Sequence, residues 1–322
     1  MHMKVVAAFL KLIRWPNLLF IALTQALFYF CVVTSVYFPN SHQKEKFSQI
    51  DWLFLLLMAA SITIAAAGYI INDYFDLQID ALNKPEKIVV DKIVKRRWAI
   101  IWHLLLSLIG IGCSWYVSFI SQHWIILIAN FICVLLLWWY STTFKKQLLT
   151  GNIVISLLTA WVIVIIYFFE GASIITEGSW TMQVYEYDVK KLFKLTAMYG
   201  GFAFIISLIR EIVKDMEDMQ GDASFNCNTL PIAWGVPVAK VFSAVWIVVC
   251  IGGLLLVDLY AWQTGLRISI AYSLLFIVSP LGYILYLLHK AITKSDYHRI
   301  SNYLKLVMLA GILSMIFIKF HA

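Results

Sequence analysis

Nine long apolar runs, separated by short polar stretches, make up this chain. The runs are continuous and lack the strict alternation of a membrane barrel strand. A membrane-spanning helix needs ~20 mainly apolar residues. The pattern predicts spans at approximately 15–38, 51–73, 97–120, 122–141, 151–171, 192–213, 237–257, 265–289 and 301–320. Only Ser121-Gln122-His123 divides the third from the fourth. The stretch 172–191 reads as the longest connection on its face, with room for a short interfacial helix. The expected fold class is therefore all-α: a polytopic membrane protein of nine transmembrane helices around a central cavity. Two four-helix pseudo-repeats, approximately 10–145 and 150–290, are expected, followed by a ninth helix at approximately 301–320.

Composition excludes the alternatives. Of 322 residues, 62% are hydrophobic and only 13% charged, too few charges to clothe a water-soluble globule. The net charge of +7 does not point to nucleic acid, because the bases lie between apolar runs. Counting Lys and Arg in alternate connections, 17 of the 25 fall on the face of the N-terminus. That bias predicts a cytoplasmic N-terminus in an inner or plasma membrane. The five cysteines are scattered, which suggests neither a disulfide framework nor a zinc site.

The acidic residues are few and patterned. Asn72-Asp73-Tyr74-Phe75-Asp76 runs on to Asp80, and 142 positions later Asp215, Asp218 and Asp222 repeat the spacing of Asp73, Asp76 and Asp80. Positions i, i+3 and i+7 share one helix face, so each motif can present three carboxylates in a row. Such a row repels itself unless cations fill it. Hard divalent ions with oxygen ligands suit it, and Mg²⁺ commonly joins one or two carboxylates to a phosphate. Four predicted spans separate the motifs, an even number, so both emerge on the same membrane face. Bases accompany them: Lys84 and Lys87 after the first, Arg210 and Lys214 before the second, and Lys145 and Lys146 in the connection between spans four and five. Carboxylates, a divalent ion and bases together suit a diphosphate.

These residues resemble the UbiA-type intramembrane prenyltransferases. Asn72-Asp73-x-x-Asp76-x-x-x-Asp80 is similar to that family's first aspartate motif, and Asp215-x-x-Asp218-x-x-x-Asp222 to its second. Arg14-x-x-Asn17 resembles its first-helix polar pair, and Tyr140-Ser141, Lys145-Lys146 and Gly151-Asn152 resemble its stretch between spans four and five. The likeness runs over nearly the whole chain. It implies a prenyltransferase that uses two Mg²⁺ ions, one per motif, to hold a prenyl diphosphate between the motifs. Asp73, Asp76, Asp80, Asp215, Asp218 and Asp222 are the implied catalytic and metal residues. Asn72, Lys84, Lys87, Lys145, Lys146, Arg210, Lys214, Asn17 and Tyr140 are the implied diphosphate-binding set. Tyr69, Trp139, Tyr140 and Phe144 are candidates to wall an allylic cation. Arg210 to Asp218, then Gly221-Asp222 and Thr229-Leu230-Pro231, look most like the digeranylgeranylglyceryl phosphate synthases of that family. This implies a prenylglyceryl phosphate hydroxyl as acceptor, with an aromatic acceptor as the alternative. Membrane lipids are the remaining partners. The stretch Asn83-Lys84-Pro85-Glu86-Lys87 departs from the family's pattern: lysines replace two arginines, losing the bidentate fork.

Plainer roles compete at several positions. Lys145 and Lys146 can anchor a helix end, Arg210 can pair with Glu211, and Asn17 and Asn72 can close helix ends. Lys92, Lys95, Arg96 and Arg97 read as topological determinants, and His298 as solvated. Glu211 and Glu217 stand off the motif spacing, which favours pairing or solvation. A cation-coupled transporter is the non-enzyme alternative, but its site belongs near the bilayer midplane on broken helices, and these acids lie at span ends.

Overall fold

The structure is a computed structural model that describes residues 2–37, 52–83, 85, 88–176 and 182–319. Among them, nine helices are long and apolar enough to cross a membrane, and extended pairing is limited to one isolated bridge, Val90 with Val94. In chain order the helices are α1 (His2–Leu12), α2 (Trp15–Val36), α3 (Trp52–Phe75), α4 (Leu77–Asn83), α5 (Arg96–Ser121), α6 (Trp124–Thr142), α7 (Thr150–Thr176), α8 (Met182–Ser224), α9 (Leu230–Ala233), α10 (Val236–Gln263), α11 (Arg267–Lys290) and α12 (Lys294–Lys319).

Local chemistry sets the boundaries. The third and fourth spans part where Gln122 turns left-handed at φ 58°. The last span starts at Lys294 rather than at 301, because Thr293 and Asp296 form a capping box that opens the helix early. The sixth extends to Ser224 and carries the whole second aspartate motif. The connection expected at 172–191 is mostly helical, with α7 reaching Thr176 and α8 beginning at Met182; positions 177–181 lie outside the described residues. Single turns of π-helix interrupt α2 at Phe28–Val33 and α11 at Leu274–Val278. The second precedes Pro280, whose missing N–H breaks the regular ladder.

The chain forms two compact units. The first comprises Met1–Ala26, Tyr37–Phe144 and Val162–Phe193. In it α3 lies close along α5 and α6. A Cβ placed on Gly110 would meet Ile64 Cγ1 at 2.6 Å, and one on Gly68 would meet Leu137 Cδ2 at 2.8 Å. His103 Nδ1 lies 3.0 Å from the Ala67 carbonyl oxygen. At one end, Ala8 and Leu12 of α1 bury against Ile70 of α3 and against Val89, Val90 and Val94 of the following loop. That cluster fixes the ground on which the first aspartate motif stands.

The second unit comprises Leu27–Val36, Lys145–Trp161 and Lys194–Ala322. Its core joins Ile206, Ile209, Ile212 and Val213 of α8 to Leu281, Ile284 and Leu288 of α11 and to Ile300 and Leu304 of α12. Gly311 lets α12 close on α8, since a Cβ there would sit 2.4 Å from Phe202 Cε1. The second aspartate motif follows directly from this core on the same helix.

Candidate active site: two aspartate motifs

The first motif straddles a break. α3 ends at Phe75 and α4 begins at Leu77, with Asp76 between them. Its peptide N–H still donates to the Asn72 carbonyl (3.0 Å), and its own carbonyl accepts from Asp80 N–H (2.8 Å). Asp73, Asp76 and Asp80 therefore do not lie on one uninterrupted helix, as their spacing alone predicts. Asn72 Nδ2 donates to Asp76 Oδ2 at 2.7 Å. Asp76 is only 3% exposed, while Asp73 and Asp80 are half-buried.

Arg14 completes this motif. It stands between α1 and α2 with φ 52°, a left-handed conformation that a non-glycine residue adopts at a cost. Its Nη2 donates to Asp73 Oδ1 at 2.7 Å, and its guanidinium lies 5.1 Å from the centre of the Tyr69 ring. Burial is the strongest single influence and opposes the Arg14 charge, but Asp73, Tyr69 and Asp76 together outweigh it and hold the guanidinium pKa above its ordinary value. Arg96, at the start of α5, lies 5.5 Å from the centre of the Tyr74 ring, immediately after Asp73. Asn17 is half-buried in the first turn of α2, its N–H donating to the Arg14 carbonyl at 2.8 Å. Lys84 and Lys87 lie outside the described residues.

The second motif is continuous. Asp215, Asp218 and Asp222 ride one unbroken helix, as their spacing predicts. Asp222 is buried at 5% exposure, and Asp215 and Asp218 are half-buried. Asn152, buried in the first turn of α7, donates from Nδ2 to Asp215 Oδ2 at 2.8 Å. Each motif thus has one carboxylate oriented by an asparagine. Arg210 Nη1 donates to Glu211 Oε1 at 3.0 Å and Lys214 Nζ to Glu211 Oε2 at 3.1 Å. Both bases expected at a diphosphate are therefore engaged with Glu211. His298 is not simply solvated: its Nδ1 lies 2.9 Å from Oε1 of the buried Glu217. Lys145 and Lys146 sit in a single 3₁₀ turn, and the Lys146 carbonyl accepts from Asn228 N–H at 2.8 Å. That bond ties their turn to the segment following the second motif. Tyr140 is half-buried in the last turn of α6.

The donor set suits Mg²⁺. Every candidate ligand is a carboxylate oxygen, and among the described residues no three acidic, His or Cys side chains converge as an all-protein cage. Mg²⁺ rarely uses such a cage; it takes one or two carboxylates and leaves positions for water and phosphate. Three residues in contact with the motifs or their neighbours stand outside the candidate set read from the sequence. Asn152 was a flanking residue, Arg14 half of a polar pair, and Arg96 a topological charge. A signal existed for the first, because an amide facing an apolar run needs a hydrogen-bonding partner.

Residues 30–309 match the model of the UbiA prenyltransferase family. The chain is 30% identical over 264 residues to the digeranylgeranylglyceryl phosphate synthase of Methanosphaera stadtmanae, covering 81% of this chain and 86% of that one. With its namesake from Methanothermobacter thermautotrophicus the identity is 28% over 196 residues, 61% of each chain. Among solved structures, one described as digeranylgeranylglyceryl phosphate synthase in membranes aligns with TM-score 0.59 at 25% identity, over 97% of this chain and 99% of that one. A UbiA homologue from Archaeoglobus fulgidus, bound to DMAPP and Mg²⁺, shares the fold at TM-score 0.57 and 14% identity, over 95% of this chain and 98% of that one. Both aspartate motifs fall inside the matched residues, and the chain belongs to the UbiA prenyltransferase family.

Proposed function

We infer that this prenyltransferase moves a polyprenyl group from its diphosphate to the free hydroxyl of a prenylglyceryl phosphate. The observation that carries the reading is the pair of aspartate motifs, each with one carboxylate held by an asparagine. The acceptor rests on the name shared by the relatives and on the resemblance of the second motif. Asp73, Asp76 and Asp80, and Asp215, Asp218 and Asp222, are the residues that hold Mg²⁺, with two ions expected. Bound there, the metal supplies positive charge to the diphosphate oxygens. The Archaeoglobus relative's bound DMAPP and Mg²⁺ support that pairing of ligand and ion.

In the reaction the allylic C–O bond breaks and its electron pair leaves with the diphosphate. The acceptor oxygen forms the new C–O bond to the same carbon and gives up its proton. Charge grows on the leaving diphosphate, so groups that bind it more tightly in the transition state raise the rate. Asn72, Lys84, Lys87, Lys145, Lys146, Arg210, Lys214, Asn17 and Tyr140 are the proposed diphosphate-binding set, and Arg14 and Arg96 join the first motif. Arg210 and Lys214 reach a diphosphate by exchanging partners at Glu211. Tyr69, Tyr140, Trp139 and Phe144 are the proposed aromatic wall. The active site faces the cytoplasm.

The test is transfer of a labelled prenyl group by purified protein offered competing acceptors, a glycerol-phosphate ether against hydroxybenzoate. Ether formation is expected, and Asp76→Ala or Asp218→Ala is expected to abolish it while the protein still inserts. Transfer to the aromatic acceptor alone would overturn the assignment of acceptor, and full activity in both variants would overturn the assignment of site.

A further inference from the structure

The facing ends of α11 and α12 carry chemistry that the transfer reaction does not use. Tyr283 and Tyr286 stack with ring centres 6.3 Å apart, and Tyr303 meets Tyr283 edge-on at 5.8 Å. Tyr283 and Tyr286 are 45% and 52% exposed, on helices that cross the membrane. A base sits on either side of this ring cluster. The Lys290 ammonium lies 4.4 Å from the centre of the Tyr286 ring and donates to its hydroxyl. Arg299 lies 5.5 Å from the centre of the Tyr303 ring and donates to that hydroxyl from Nε (3.4 Å) and Nη2 (3.2 Å).

Consider what each group has left to offer. Both phenol oxygens accept from a cation, which leaves their own hydrogens free to donate outward. Lys290 and Arg299 keep further N–H groups and have no acceptor function. Asp296 attracts Arg299. Its Oδ2 is already taken by the N–H groups of Ile292 and Thr293 and by the Thr293 hydroxyl. The patch is therefore made of donors, carries two positive charges, and is floored by aromatic rings. Tyr with Lys or Arg at a span end belongs at headgroup depth.

We propose that this patch binds the phosphate headgroup of an anionic membrane lipid. A phosphate supplies the acceptor oxygens and the negative charge that four donors lack, and its acyl or isoprenoid chains lie along the exposed tyrosine face. The patch stands at the same end of its unit as the second aspartate motif. Its neighbour His298 contacts Glu217, and Lys240 donates to the Ala291 carbonyl. A lipid held there therefore borders the residues proposed to hold the diphosphate.

The experiment is native mass spectrometry of the full-length protein in micelles doped with equal phosphatidylglycerol and phosphatidylcholine. Wild type is expected to retain phosphatidylglycerol selectively. Each interfacial base contributes about fivefold, so Lys290→Gln with Arg299→Gln is expected to lower that preference by about 30-fold. Tyr286→Phe with Tyr303→Phe keeps the charges and the rings, and is expected to lower it less. Unchanged preference in both double variants would overturn the proposal. So would displacement of the lipid by millimolar glycerol phosphate, which would mark a site for soluble phosphate.

Discussion

Asn152→Ala is the sharpest probe of the second motif. The wild-type amide is 7% exposed and donates to Asp215 Oδ2 at 2.8 Å. A hydrogen bond to a charged group contributes about 1.5–3 kcal/mol, which is roughly 10- to 150-fold in an equilibrium. Loss of a residue that orients a metal-binding carboxylate costs about 10–100-fold in metal affinity. The two ranges overlap, so Asn152→Ala is expected to raise the Mg²⁺ concentration for half-maximal prenyl transfer by about 10–100-fold. Saturating Mg²⁺ should restore most of the rate. The assay is initial velocity against Mg²⁺ at fixed prenyl diphosphate, with insertion and size-exclusion behaviour as fold controls. A purely structural role would lower the rate at every Mg²⁺ concentration alike. An unshifted Mg²⁺ curve in a correctly folded variant would refute the reasoning.

Further outcomes follow from the same geometry. Asn72→Ala removes the donor to buried Asp76 and should shift the Mg²⁺ curve in the same direction; a shift confined to Asn152→Ala would mean that the first motif does not share this design. Gly110→Ala places a methyl 2.6 Å from Ile64 Cγ1 and 3.3 Å from the Ala60 carbonyl oxygen, and is expected to cost about 1–3 kcal/mol, seen as a lower midpoint of thermal inactivation. His298→Ala strips the partner from buried Glu217. Half of the His298 side chain is exposed, so the loss should be small, about 1 kcal/mol, and Glu217→Gln in the same chain should recover part of it in thermal unfolding.

The spans were legible because a long apolar run has few alternatives in a membrane. The second motif was legible for a related reason: its spacing is helical and the helix is unbroken. The first motif has the same spacing yet crosses a break at Asp76, which the spacing cannot reveal. Arg14 illustrates a different limit. Its pairing with Asp73 spans 59 positions and depends on a left-handed residue between two helices, which no local pattern announces. For Arg210 the sequence offers both a phosphate and Glu211 as partners; in the structure Glu211, one position from Arg210 and three from Lys214, engages both bases. His298 looked solvated because its partner lies 81 positions away on another helix.

α8 sets a length scale. Its 43 residues amount to about 65 Å of helical rise at 1.5 Å per residue. Its mainly apolar stretch, from Leu192 to Val213 with Arg210 and Glu211 in its last turn, covers about 33 Å, close to a hydrocarbon core of about 30 Å. The C-terminal turns, from Lys214 to Ser224, reach about 16 Å further, and all three carboxylates of the second motif ride on them. With that apolar stretch centred in the bilayer, the height of the motif above the acyl chains would be set by a count of residues. A bilayer thickened by several ångströms would draw those carboxylates toward oil or force the rod to shift its tilt. Bilayer thickness is therefore expected to set the rate of this enzyme without any change in its substrates.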